Sequence, residues 1–144
     1  MKANAGAEAF VVPAVAGAGA GSGAIDPIVD DEFAARGELQ DGRVSLQLWG
    51  NADLRVKDRL DAFLQQADRL AVEAPVQEVA VDFRQLDFMN SCCLKALVTW
   101  LNKVQERPSA EQYHVVFLKA PAAHWQDRSL HALVTFAPGM IRIE

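Results

Sequence analysis

Asn90, Ser91, Cys92 and Cys93 bring a carboxamide, a hydroxyl and two thiols to the point where one apolar pattern gives way to another. Before them, Val79, Ala80 and Val81 make a short apolar run of the kind that forms a strand covered on both faces. After Met89, the residues Leu94, Leu97, Val98, Leu101 and Val104 recur along one face of a helix. A serine at such a helix start sits beside unpaired backbone N–H groups and the positive end of the helix dipole. Both would stabilise a phosphate carrying about two negative charges there. The plainer reading of Asn90 and Ser91 is as N-caps, since a short side-chain oxygen accepts a hydrogen bond from an N–H that has no partner inside the helix. Two thiols at a helix N-terminus also raise the possibility of a reactive thiolate and redox sensing, against a plain packing role.

Other reactive residues are less well placed. His124, Asp127 and His131 could share a helical face, but their spacing is not that of a metal site, and no metal is expected. No Gly-x-Ser-x-Gly elbow surrounds Ser91, and no histidine is brought near it by sequence, so a hydrolase is not expected. Gly17, Gly19, Gly21 and Gly23 lack a following Lys-Ser/Thr and so do not form a phosphate loop. The chain is read as a non-enzyme without a cofactor. Trp49, Trp100 and Trp125 are candidate interface anchors or core residues, and Trp100, off the main apolar stripe of its helix, is the docking candidate among them.

The elements that must position these residues follow from pattern. Phe33 to Leu39 and Arg43 to Leu48 flank Asp41-Gly42, a strong hairpin signal. Val56, Leu60, Phe63, Leu64, Ala67 and Leu70 predict a helix that ends before Pro75. The Val79 strand is expected to stop at charge, with Arg84, Gln85 and Asp87 forming a loop around Leu86 and Phe88. Beyond the Leu94 helix, Val115 to Leu118 reads as a strand, Ser129 to Val134 as a short helix and Met140 to Ile143 as a last strand. This alternation implies an α/β fold: a mixed sheet of about five strands with helices packed mainly on one face. Ser91 is then expected at the C-terminal strand edge, where α/β proteins place their functional surfaces.

The 144 residues allow one domain with a proper core, and a formal charge of -5 without a Lys/Arg cluster argues against a nucleic-acid partner. Residues 1–30, rich in Ala and Gly from Ala14 to Ala24, are expected to be a flexible tail before a domain over 31–144. Lys2 is the one early cation and Glu8 precedes the apolar part, so a secretion signal is not expected. No run approaches the ~18 apolar residues of a membrane-spanning helix, and no membrane association is expected.

The run from Val79 to Leu97 resembles the core of the STAS family, the fold of bacterial anti-sigma factor antagonists. The family's strand-Asp and hydrophobic-hydrophobic-Asp-Ser-Ser/Thr-Gly-Leu turn read here as Asp82, then Phe88, Met89, Asn90, Ser91, Cys92, Cys93 and Leu94. Gly50 and Asp53 resemble its early Gly-x-x-Asp turn, and Trp125-Gln126-Asp127-Arg128-Ser129-Leu130 is similar to short, stand-alone members. Asn90 stands where Asp is usual and cannot ionise; Cys92 stands where Ser or Thr is common, and Cys93 replaces Gly. The resemblance implies a cytoplasmic bacterial regulator in a partner-switching pathway. In that role Ser91 would be the phosphorylated serine. Phe88, Met89, Asn90, Cys92, Cys93 and Lys95 would join it in docking to an anti-sigma factor that is a serine kinase, and a serine phosphatase would reset the switch. The alternatives are a scaffold that docks constitutively without phosphorylation, and a thiol redox sensor using Cys92 and Cys93.

Overall fold

The computed structural model describes residues 25–144. Among them, six strands form one sheet in the simple order β1 to β6. The strands are β1 (Ile28–Val29), β2 (Phe33–Gln40), β3 (Arg43–Ala52), β4 (Glu78–Met89), β5 (His114–Leu118) and β6 (Ile141–Ile143). The α-helices are α1 (Lys57–Glu73), α2 (Ser91–Gln105) and α3 (His124–Phe136). Strands β1 to β3 run antiparallel, and β3 to β6 are parallel neighbours with one helix in each connection. The architecture is the expected mixed sheet, with the two-residue β1 as an additional edge strand.

The local chemistry accounts for these elements. Asp41 and Gly42 both adopt positive φ, 56° and 75°, as a two-residue hairpin with a right-handed strand twist requires. Strand β3 alternates strictly, with Val44, Leu46, Leu48, Gly50 and Ala52 buried. Val44, Leu46, Leu48 and Ala52 meet Leu60, Phe63, Leu64 and Ala67 of α1 and Leu97, Leu101 and Val104 of α2 in a single apolar cluster that also takes in Val79, Val81, Phe83, Val115, Phe117 and Leu130. Ala34, Ala80 and Val116 are buried outside that cluster. Ion pairs also tie strands together, with Glu78 of β4 meeting Arg43 of β3 at 3.1 Å and Arg142 of β6 at 3.2 Å, while Asp82 pairs with Arg84 along β4 at 2.8 Å.

Three expectations need correction. The Val79 strand does not stop at charge: β4 runs on to Met89, still paired with β3, and the predicted loop is strand. Two register shifts, opposite Gln47/Trp49 and Gly50/Asn51, each place an extra residue on β4. The buried residues there are therefore Phe83, Leu86 and Met89, a spacing of three that hides the strand from a period-two reading. Helix α3 begins at His124, before the predicted Ser129. The tail expected over residues 1–30 falls mostly outside the described residues, but its last part is packed. Ile25 and Ile28 are buried in the core cluster, and the Asp26 amide donates to Gln66 of α1 at 2.8 Å. Two branched apolar side chains in a stretch otherwise read as linker provide the reason.

Candidate functional site

The connection from β4 to α2 is a single residue, Asn90. Its extended backbone, φ −80° and ψ 171°, is that of an N-cap, and its side-chain oxygen accepts from the Cys93 amide at 3.0 Å. Its own amide donates to the Ala52 carbonyl at 2.9 Å, which fixes the junction to the end of β3. The capping role weighed for both residues thus belongs to Asn90. Ser91 is the first residue of the helix, exposed, and its hydroxyl makes no hydrogen bond among the described residues. A group attached to that oxygen would stand at the N-terminus of a 15-residue helix, where a dianion is stabilised by the dipole and the remaining free amides.

The surroundings divide the expected docking residues. Phe88 is 49% exposed and Lys95 is exposed, while Asn90 and Cys92 are half-buried. All four lie within four residues of Ser91 along the chain and keep some surface in solvent. Met89 and Cys93 do not: their exposures are 3% and 0%, because both face the core beneath the junction. The Cys93 thiol donates to the Asp53 carbonyl at 3.4 Å. Burial, reinforced by the nearby Asp53 carboxylate, pushes its pKa up to about 11. This opposes a reactive thiolate at Cys93 and favours the packing role weighed against it, because desolvation outweighs the helix dipole. Cys93 thus packs in the core at the start of α2, with its thiol on the carbonyl of the residue that follows β3.

The early turn works as scaffold. Gly50 takes φ 85°, a left-handed conformation that favours glycine, and Asp53 caps the 3-10 turn Leu54–Val56 by accepting from the Arg55 amide at 2.9 Å. Arg55 then lies within 4 Å of Asp30, Glu32 and Asp53, and Asp30 also receives Arg59 at 2.8 Å. Leu54, one residue beyond the carbonyl that receives the Cys93 thiol, is 68% exposed. Pattern reading missed it because a lone apolar residue beside a turn carries no periodic signal.

On the other side stands α3. Trp125 lies 6.3 Å from both Phe88 and Phe83, stacked on the latter, so one of the three tryptophans does border the junction. Trp100, the docking candidate by sequence, does not. It is 4% exposed and donates through Nε1 to the Tyr113 hydroxyl at 2.8 Å. The Tyr113 hydroxyl in turn donates to Asp68 at 2.6 Å, and Arg107 pairs with both Asp68 oxygens. A polar network can hold an indole in the core at a helix position that departs from the apolar stripe.

His124, Asp127 and His131 all lie on α3 and line a shallow groove with Lys119 and Arg128, where Lys119 pairs with Asp127 at 2.5 Å. Among the described residues no group of three His, Cys, Asp or Glu could hold a metal ion. No helix among them is long and apolar enough to cross a membrane.

No protein-family model matches the chain, and neither does any curated protein. Solved structures do. The crystal structure of an anti-sigma factor antagonist from Mycobacterium paratuberculosis superposes with a TM-score of 0.55 at 18% identity, over 79% of this chain and 88% of that one. The anti-sigma factor antagonist SpoIIAA in its unphosphorylated form is also similar, with a TM-score of 0.49 at 15% identity, over 84% and 87% of the two chains. The six-stranded mixed sheet with its three helices thus matches the STAS fold of the mycobacterial neighbour.

Proposed function

We propose that this chain is an anti-sigma factor antagonist of the partner-switching kind, whose docking surface surrounds Ser91 and is controlled by phosphorylation of that residue. The observation that carries the reading is the division of labour at the junction. Asn90 takes the cap, so Ser91 is left exposed with an uncommitted hydroxyl at the start of α2. A serine needed only to cap the helix would be turned inward on an amide.

The partner is read as an anti-sigma factor that is also a serine kinase. Phe88, Leu54 and Trp125 offer it apolar surface, and Asn90, Cys92 and Lys95 offer polar rim. Its kinase activity breaks no bond in this chain except the Ser91 O–H: the hydroxyl oxygen takes the γ-phosphoryl group of ATP and ADP leaves. The added charge, set inside a close-packed interface, costs several kcal/mol if it meets no cation, enough to release the complex. A serine phosphatase would restore docking. Asn90 has no carboxylate to assist the transfer, so the kinase supplies the base.

Labelled ATP with an extract of the source cells tests the site. Label is expected on the wild type and not on Ser91→Ala; equal labelling of both would remove Ser91 from the reading.

A further inference from the structure

Strand β4 carries Ser91's junction on its C-terminal half, and that half has a strand partner on one side only. Towards β3, pairing continues to Met89 opposite Ala52. Towards β5, it ends at Asp82 opposite Leu118. Beyond that point the β4 backbone bends through two bulges, its exposed residues are Arg84, Gln85, Asp87 and Phe88, and Phe83, Leu86 and Met89 anchor it in the core. By composition this segment would be a loop.

What stands where the next strand would be is Gln126 of α3. Its side chain has no exposed surface, which is rare for glutamine. Its Nε2 donates to the carbonyls of Phe83 at 2.8 Å and Leu86 at 3.0 Å, and its Oε1 accepts from the Ala120 amide at 2.8 Å. One amide therefore meets two carbonyls of the strand edge and one N–H of the β5–α3 connection. Trp125, its neighbour, is thereby set between Phe83 and Phe88.

We infer that Gln126 is a positioning residue for the docking site: it stands in for a missing strand, keeps residues 84–90 extended, and holds α3 so that Ser91, Phe88 and Trp125 form one surface. Its functional consequence rests on the reading of Ser91 given above; the structural role does not. Without Gln126, two carbonyls and an N–H lose their partners inside the protein, and the Ser91 junction is released on its β5 side while β3 still holds the other.

Gln126→Glu is the sharpest variant. It keeps the shape and the acceptor for Ala120, but turns an oxygen toward the Phe83 and Leu86 carbonyls. Gln126→Met, of similar size without polar atoms, serves if the glutamate variant does not fold. The readouts are amide hydrogen exchange and alkylation of the full-length, unmodified protein without a partner. Exchange at residues 84–90 is expected to accelerate by about tenfold or more, with residues 79–81 and 115–117 unaffected. Cys92 should alkylate faster while Cys93 stays unlabelled, a split that general loosening would not give. Unchanged exchange at 84–90, or equal acceleration through the whole sheet with both thiols exposed, would overturn the inference. Because no phosphate or partner enters these measurements, a Ser91 that never carries phosphate would refute the switch and leave this result standing.

Discussion

The side-chain oxygen of Asn90 accepts the Cys93 amide at 3.0 Å, and this one bond assigns the roles of two adjacent residues. Asn90 finishes the helix. Ser91 is released from doing so.

Asn90→Ala should destabilise the protein by about 1 kcal/mol in urea unfolding, the usual cost of losing an N-cap. Asn90→Asp should be at least as stable as the wild type near neutral pH, since aspartate caps as well and its charge favours the helix N-terminus. A large loss on Asn90→Asp would mean that the carboxamide NH2 has a role the cap does not explain.

The buried carboxylate of Asp68 sets the acid response. Burial alone would raise its pKa, but the hydrogen bonds from Arg107 and Tyr113 outweigh it and hold the group below its ordinary value. Its contribution is therefore present above the unfolded-state value of about 3.9 and is lost as the pH falls through the lower folded-state value. Asp68→Ala should cost about 3 kcal/mol, because it leaves Arg107 half-buried and unpaired, and should flatten the loss of stability below about pH 4. An unaltered acid limb in equilibrium unfolding would contradict this assignment.

The two thiols should separate in reactivity. At pH 8 a thiol-alkylating reagent should label Cys92 in the folded protein and leave Cys93 untouched until unfolding, since Cys93 is buried with its pKa pushed up to about 11. Mass spectrometry of the labelled peptide decides it. Equal labelling of both would restore the paired-thiol reading.

Much of this was legible in the sequence, and the failures have physical causes. The hairpin at Asp41-Gly42, the α1 stripe and the Asn90-Ser91 helix start were read from local chemistry, where residue type alone dictates backbone. The second half of β4 was not, because bulges replace the period-two signal and its free edge is closed by Gln126, 40 or more residues away in the chain. Trp100 and Cys93 were misplaced for a related reason. A sequence shows that an indole or thiol is off the apolar stripe or at a helix start, but not that Tyr113 or the Asp53 carbonyl waits for it. Ser91 could be found by type and position, yet its freedom from the cap was visible only once Asn90 was seen to hold the Cys93 amide.

The central claim is that the Ser91 hydroxyl is kept free to carry phosphate. It is tested most directly by mass spectrometry of the protein isolated from its native cells, with phosphatases inhibited and thiols trapped at lysis. The account predicts phosphate on Ser91 in a fraction that changes between growth and stress. A well-covered peptide with Ser91 unmodified under every condition would contradict it and leave a surface that docks its partner constitutively.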